Sequence, residues 1–170
     1  MCSSDLVWGL LELYEASLEL RYFQEASKVH RQMMDLFWDR DEGGFFYTAE
    51  DNEALIVRDK DLYDGALPSS NSVGLLNLLR LSRMTGNTEW EERAQDLLKR
   101  FSEMVGDFPA GYTQFLNALD FVLGPTREIV IAGNPEHPAT KEMLRAVHGS
   151  FLPNRVLMLC PPDGSSRELA

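Results

Sequence analysis

Cysteine is scarce in this sequence of 170 residues, which holds only Cys2 and Cys160. Two cysteines are too few for the disulfide framework of a small secreted domain, and they lack the paired spacing of a zinc site. The three histidines also lack metal-ligand spacing, and none stands in a recognisable nucleophile motif. Two of them, His30 and His148, fall in helical patterns and are interpreted as residues at the boundary of a core. We therefore predict no metal and no cofactor.

Long apolar runs are absent as well. No segment approaches the ~18 apolar residues of a membrane-spanning helix, and the N-terminus lacks the basic and then apolar pattern of a signal peptide. Positive charge is in deficit, because 16 Lys and Arg face 27 Asp and Glu, for a formal net charge of −11. Phosphate backbones and anionic lipids repel such a surface. The sequence therefore predicts a cytoplasmic protein that binds neither nucleic acid nor membrane.

The acidic residues are spread along the chain rather than gathered in a tail. They include Glu12, Glu15 and Glu19 near the start and a second group between residues 89 and 96. This spacing is typical of solvated helix faces, and it favours solubility over an acidic binding patch as its explanation.

Helical periodicity dominates the first 124 residues, where apolar residues recur at three- and four-residue steps. A first helical pair is predicted between Trp8 and Phe37, with a break near Arg21. A turn-rich stretch at 39–44 and extended pieces at 45–48 and 55–57 follow it. A second helical pair begins after 68–72 and breaks at 85–87, and a third helical pattern covers 112–123.

The two helical pairs resemble each other in sequence. Residues 9–13 align with 74–78 at an offset of 65, and residues 22–29 align with 90–97 at an offset of 68. A three-residue insertion between the helices reconciles the two offsets. Repeated helical hairpins of this size indicate a toroid or solenoid, in which each hairpin buries its apolar face against its neighbours.

The periodicity changes after Pro125. Residues 128–132 and 155–159 are predicted to form buried strands, and residues 137–150 a helix between them. A helical crossover favours parallel pairing of the two strands. The turn at 132–135 lacks the second and third glycines of a dinucleotide fingerprint and the lysine of a P-loop, so it is interpreted as a small structural cap.

The predicted organisation has four parts. Residues 1–6 are interpreted as a non-native leader, because the helical pattern starts directly after them with no cap. Residues 7–124 form the helical-hairpin unit, residues 125–160 form a β-α-β cap, and residues 161–170 form a flexible polar tail. The predicted fold class is therefore mainly α, with a small C-terminal β-α-β unit.

The densest cluster of polar residues lies between residues 53 and 72 and leads directly into a helix N-terminus, which favours an anion or a sugar hydroxyl. Glycoside chemistry needs two carboxyl groups on either side of the scissile bond, and Asp64 and Glu53 are the candidates for that pair. Two other interpretations stay open, a loop that only fixes the hairpin connection and a contact with a polar ligand. The candidate ligand-binding residues are Arg58, Tyr63, Ser69 and Asn71.

A family resemblance is carried by residues 43–48, 53–58 and 63–72, and it continues through 78–81, 118–121, 123–125 and 128–131. These runs resemble the thioredoxin-domain-containing proteins related to spermatogenesis-associated protein 20. The resemblance covers nearly all of residues 7–160. It implies an incomplete (α/α)6 toroid similar to six-hairpin glycosidases and sugar epimerases. In that family the loop often reads Pro-Ser-Gly-Asn-Ser, and Ser70 stands at the glycine position here.

The resemblance further implies that this chain corresponds to the C-terminal part of a longer polypeptide with a thioredoxin-like domain upstream. The first expected partner is then the missing N-terminal portion of the same polypeptide. A shared fold does not transmit an activity, so two functions are predicted. One is a toroid fragment that binds a polar or carbohydrate-like ligand or a partner, with no assigned reaction. The other is a carbohydrate-active enzyme, a glycosidase or epimerase, that uses Asp64 and Glu53.

Overall fold

The computed structural model describes residues 3–51, 58–164, 166 and 169. It is mainly helical and has a small two-stranded parallel sheet near its C-terminal end, which confirms the predicted fold class. The helices are α1 (Ser3–Ser17), α2 (Leu20–Phe37), α3 (Ser70–Thr85), α4 (Thr88–Asp107), α5 (Thr113–Leu123) and α6 (Pro138–His148), with a short 3-10 turn at Pro109–Gly111, and the strands are β1 (Arg127–Ala132) and β2 (Arg155–Cys160).

The first helical pair breaks earlier than predicted. The break lies at Leu18 and Glu19, not near Arg21, and Leu18 has a φ of 58°. The amide of Leu18 donates to the carbonyl of Tyr14, which closes the last turn of α1. Sequence periodicity misses this break because Leu18 continues the apolar pattern while its backbone leaves the helical conformation.

The second helical pair follows the start and stop signals of the sequence. Ser69 caps α3 by accepting a hydrogen bond from the amide of Ser72, and Gly86 ends the helix in the left-handed conformation at φ 65°. The side chain of Asn87 then accepts from the amides of Glu89 and Trp90 and starts α4. The break at 85–87 and the capping role of the polar stretch confirm the prediction, because short polar side chains satisfy the free amides of a first helical turn. Helix α3 begins at Ser70, inside the stretch 68–72 and not after it.

Helix α3 is the centre of the helical part. It packs against α1 and α5 on its sides and against α4, and 12 of its 16 residues are buried. The contact partners place α1, α3 and α5 in one row, while α2 packs on α1 and α4 packs on α3. His30 of α2 and Trp90 of α4 touch edge to face, with ring centroids 5.1 Å apart, so α2 and α4 form a second row.

The β-α-β unit agrees with its prediction. β1 and β2 pair in parallel, from Arg127 opposite Arg155 to Ala132 opposite Cys160, and α6 is the crossover. The residues of β2 from 156 to 159 are buried, and two of them, Val156 and Met158, join the main helical core. The unit is therefore part of the same packed structure as the hairpins.

The segment between α2 and α3 is only partly described. Phe45 forms an isolated antiparallel bridge with Trp38 in the first predicted extended piece, while the second piece, residues 55–57, lies outside the described residues. Within the ranges that the structure covers, every helix is too short or too polar to cross a membrane.

The repeated glycines Gly9 and Gly74 have opposite environments despite their matching sequence positions. A Cβ added to Gly74 would lie 2.7 Å from Cε2 of the buried Phe45 ring, whereas a Cβ at Gly9 would meet no described atom within 4 Å. Gly74 is thus needed for close packing, and Gly9 is only a weak helix former.

We expect Gly74→Ala to destabilise the protein by about 1–3 kcal/mol, since the Phe45 ring must move out of a packed site. The matched substitution Gly9→Ala is expected to stabilise it by about 0.5–1 kcal/mol, because alanine is the better helix former. Urea denaturation of both variants checks the pair. Equal effects of the two substitutions would contradict the packing account.

His30 is fully buried, which corrects its interpretation as a boundary residue. Neither ring nitrogen has a hydrogen-bond partner among the described residues. Burial, with a smaller contribution from the positive charge of Arg31, lowers the pKa of His30 to about 4 from its ordinary value of 6.5. The imidazole is therefore neutral in the folded protein at neutral pH.

This burial predicts a specific pH dependence of stability. Between pH 6.5 and 4 the unfolded chain binds a proton at His30 that the folded chain does not, so the free energy of unfolding falls as the pH falls. The full loss is on the order of 3 kcal/mol. We expect His30→Leu to flatten the stability profile in this window, measured by urea denaturation from pH 7 to 4.

The control is His137→Asn, which changes an exposed histidine and retains a side-chain acceptor for the first turn of α6. Because His30 is unchanged, this variant should still lose stability as the pH falls from 7 to 4. A His30→Leu profile as steep as the wild-type profile would show that other groups cause the acid lability.

Candidate functional site: a capping carboxylate and a polar cleft

Asp64 caps two helices with one buried carboxylate. Its Oδ1 accepts a hydrogen bond from the amide of Ser69 at 2.8 Å, next to the start of α3. Its Oδ2 accepts from the hydroxyl of Ser72 at 3.1 Å and from the amides of Gln114 and Phe115, in the first turn of α5, at 2.8 and 3.1 Å. The carboxylate thus satisfies free amides at the starts of α3 and α5 and opposes their positive dipole ends.

Asn71 holds the preceding segment onto the first turn of α3. It is fully buried, and its Oδ1 accepts from the amide of Phe45 at 2.7 Å. Its Nδ2 donates to the carbonyls of Phe45 and Asp61 at 2.9 and 2.8 Å. Both donors of the amide and its oxygen are therefore used within the protein.

Arg58 also contacts main-chain groups. Its Nη2 donates to the carbonyls of Leu36 and Thr48 at 3.3 and 2.7 Å. Its guanidinium lies over the ring of Phe46, 4.1 Å from the centroid, in a cation–π contact. This side chain closes the turn after α2.

A mostly buried ion pair stabilises the same turn. Lys60 Nζ lies 2.6 Å from Oδ2 of Asp39 and donates to the carbonyl of Gly43 at 2.8 Å. Burial raises the pKa of Asp39, but the hydrogen bond from Lys60, the amides of Asp41 and Glu42, and the charge of Lys60 together outweigh burial and hold that pKa below its ordinary value.

The structure brings three predicted site residues together at the start of α3, namely Asp64, Ser69 and Asn71. Arg58 lies on the neighbouring turn, Tyr63 is exposed with its ring edge-on to Tyr112 at 6.4 Å, and Glu53 lies outside the described residues. The catalytic pair of Asp64 and Glu53 stays a prediction. The described contacts of Asp64 are those of a structural carboxylate.

Ser70 stands where the family's Pro-Ser-Gly-Asn-Ser loop has glycine, and its backbone conformation shows whether a glycine is needed there. It is the first residue of α3, and Leu18 is the single non-glycine residue with a positive φ in the described part of the chain. The helical conformation at Ser70 therefore needs no glycine, and the capping geometry of Ser69 and Ser72 is retained.

A cleft that the sequence did not indicate lies along the row of α1, α3 and α5. Its volume is about 490 Å³, and it combines charged, amide and aromatic side chains with the segment that precedes β2. The lining residues are Trp8, Glu12 and Glu15 of α1, Leu76 and Arg80 of α3, Gln114, Asn117, Asp120 and Phe121 of α5, and residues 150–155.

Arg80 anchors one side of the cleft. Its guanidinium bonds Oε1 of Glu12 at 2.7 Å and Oε1 of Glu15 at 2.8 Å, and it joins α3 to α1. Nε of Arg155 lies 3.8 Å from the other oxygen of Glu15, which adds β2 to the network. Glu15 is buried, so the interpretation of this residue as part of a solvated helix face is wrong.

Gln114 carries a buried donor with no partner among the described residues. Its side chain lines the cleft, the residue is 7% exposed, and its Nε2 has no hydrogen-bond partner in the described part of the chain. Its Oε1 accepts from Asn117 Nδ2 at 3.1 Å. A buried donor without a partner lowers the free energy of unfolding by about 1–3 kcal/mol. Its presence in a folded protein therefore needs an explanation.

Sequence reasoning missed the cleft because its residues come from separate helices. One signal was present, since Arg80 is the single charged residue in the mostly apolar stretch 73–81 of the central helix. A charged residue in a buried helix needs partners of opposite charge, and these must come from another element. The sequence alone does not show that Glu12 and Glu15 are those partners.

No family model matches the sequence. Comparison with curated proteins nevertheless shows that the chain, a mainly helical unit with a β-α-β end, is homologous to a group of mammalian proteins over 95% of its length. They are spermatogenesis-associated protein 20 of rat, 41% identical over 162 residues, and the same protein of mouse and human, each 40% identical. The chain spans about a fifth of the length of these relatives. This homology confirms the resemblance carried by the motifs.

The contacts of Asp64 predict that its substitution affects stability. In Asp64→Asn, one carboxylate oxygen becomes an amino group that faces N–H or O–H donors, so we expect a loss of about 2–3 kcal/mol in the free energy of unfolding. Guanidinium denaturation measures this loss.

Asp61→Asn is the matched control in the same loop. Asp61 is exposed, and its side chain accepts only from the amide of Tyr63 among the described residues, a bond that asparagine retains. Its stability should stay within about 0.5 kcal/mol of the wild type. Wild-type stability of Asp64→Asn would contradict the capping role and favour a catalytic one.

Proposed function

We propose that this chain forms part of a binding site for a polar, carbohydrate-like ligand, and that the ligand lies in the cleft between α1, α3 and α5. The observation that carries the proposal is the composition of this cleft, where charged and aromatic side chains lie beside Gln114, a residue whose buried Nε2 has no partner among the described residues. A ligand oxygen that accepts from this amide would satisfy the donor and remove its energetic cost.

The polar groups of the cleft support a ligand with several hydroxyl groups. Asn117 and Asp120 are exposed on the same side of α5 as Gln114, and Glu12 faces them from α1. Carboxylate and amide oxygens accept hydrogen bonds, and hydroxyl groups supply the matching donors. The cleft therefore offers several acceptors beside one buried donor.

The apolar walls support a ring-shaped ligand. Trp8 and Phe121 line the cleft, and Phe151 stands at its edge with 92% of its surface exposed. Sugar rings present C–H groups on their faces and hydroxyl groups at their edges, so they suit a site with aromatic walls and a few polar groups. An exposed phenylalanine at the edge of such a cleft fits this use.

The arrangement of the helices is consistent with part of a toroid of helical hairpins. In the proposed toroid, α1, α3 and α5 are inner helices, α2 and α4 are outer helices, and the cleft lies on the inner side. The homologous proteins are about five times as long as this chain. We propose that further hairpins of a longer polypeptide extend the wall of the cleft, while the binding groups named above belong to this chain and suffice for measurable binding.

The proposal includes no reaction. Both oxygens of Asp64 accept hydrogen bonds from the protein, and Glu15 is paired with Arg80 and Arg155. Carbohydrate-active chemistry with Asp64 and Glu53 therefore stays the alternative prediction. A cytoplasmic location and the exclusion of nucleic acid and membrane as partners also stay predictions.

Substitution of Gln114 tests the proposal. We expect Gln114→Leu to weaken the binding of glucose and maltose by about tenfold or more, because the donor is lost. The same substitution should change stability little, since it removes an unpaired buried donor together with one hydrogen bond from the exposed Asn117. Saturation-transfer NMR measures the binding, and thermal melting measures the stability.

Gln24→Leu on the exposed face of α2 is the control, and it should change neither quantity. Two results would refute the proposal: wild-type protein that binds neither sugar, or a Gln114→Leu variant that binds both as tightly as the wild type does.

A further inference from the structure

We infer that the cleft selects its ligand by charge, so that it accepts neutral and cationic sugars and rejects anionic ones such as uronic acids and sugar phosphates. This inference rests on the proposed function and specifies its ligand class. It follows from which charges of the cleft a ligand can reach, and it requires no reaction.

The positive charges of the cleft are paired with carboxylates of the protein. Arg80 bonds Glu12 and Glu15, and its side chain is only 7% exposed. The side chain of Arg155 is 20% exposed, and its guanidinium lies against Glu15 and donates to the carbonyl of Leu152 at 3.3 Å. An anion that enters the cleft therefore meets no free guanidinium among the described lining residues.

The accessible charges are negative. The Glu12 side chain is 61% exposed, and its two described hydrogen bonds, from Trp8 Nε1 and Arg80, go to the same oxygen, Oε1. Asp120 is also exposed, and its Oδ2 accepts from Asn154 Nδ2 at 2.6 Å. Each carboxylate thus presents its second oxygen as an acceptor with no partner in the described residues.

The balance of charge points the same way. Three carboxylates and two guanidiniums line the cleft, and the whole chain carries a formal net charge of −11. A bound carboxylate or phosphate would lose hydration and approach like charges, whereas a hydroxyl group or an ammonium donates to the same oxygens. Like charges that meet in a binding site act as the repulsive element of its specificity.

Four sugars with the same glucopyranose ring and different charges test the inference on the 170-residue chain. Glucose is neutral, glucosamine is cationic, and glucuronate and glucose 6-phosphate are anionic. We expect glucose and glucosamine to bind and both anions to bind at least about tenfold more weakly, a difference of about 1.4 kcal/mol or more. Saturation-transfer NMR and calorimetric titration at low salt give the affinities.

The double variant E12Q/D120N identifies the cause. Glutamine and asparagine keep an oxygen acceptor and remove the charge, so the affinity for glucuronate should rise to within about threefold of that for glucose. A second measurement does not depend on any variant. In the wild type, the discrimination between glucose and glucuronate should shrink as salt rises from 20 to 500 mM, where the Debye length falls to about 4 Å.

The outcomes separate the inference from the proposed function. If glucuronate binds the wild type as tightly as glucose, charge selection is wrong and polar-ligand binding stands. If none of the four sugars binds, the proposed function fails and the inference fails with it. Rejection of glucuronate that persists in E12Q/D120N and at high salt would show that the carboxylates are not its cause, which also overturns the inference.

Discussion

The capping of two helices by one carboxylate is the interaction on which the arrangement of the cleft depends. A helix begins with amides that have no partner within the helix, and Asp64 satisfies such amides in α5 while it bonds the start of α3. The two helices therefore begin side by side. Because the amide of Gln114 is one of those bonded to Asp64, the cap also fixes the turn that holds the Gln114 side chain in the cleft. The polar loop that was predicted as a site thus does not line the cleft, but its residue Asp64 positions two of the helices that do.

A second constraint comes from the buried charge of Arg80. A guanidinium in the central helix is tolerated only if carboxylates from elsewhere neutralise it, and Glu12 and Glu15 do this from α1. Removal of one partner from such a buried pair costs about 3–5 kcal/mol, because the other charge is left uncompensated. The same network neutralises the positive charge of the cleft, so the packing of the helices and the proposed selection of ligands have one origin.

Much of the fold could be predicted because its signals are local. Caps at Ser69, Gly86 and Asn87 and the change of periodicity after Pro125 depend on residues close in sequence, and the structure agrees with them. The burial of His30 and the break at Leu18 could not be predicted, since they depend on neighbouring helices and on backbone conformation. The packing at Gly9 and Gly74 could not be predicted either, because the two glycines occupy matching sequence positions but only Gly74 lies against a buried ring. The residues that line the cleft come from α1, α3, α5 and the segment before β2, so no local sequence pattern shows that they lie together.

The sharing of Glu15 between Arg80 and Arg155 has a mechanical consequence. Because this one carboxylate joins α1, α3 and β2, a relative shift of any of the three would separate a mostly buried ion pair. That side of the cleft is therefore stiff. On the other side of the cleft, Asn154 bonds Asp120 and the start of β1, but the side chain of Phe151 is almost wholly exposed. Among the aromatic side chains that line the cleft, Phe151 therefore has the most room to change rotamer, so a ligand of the proposed kind would meet one fixed wall and one adjustable side chain.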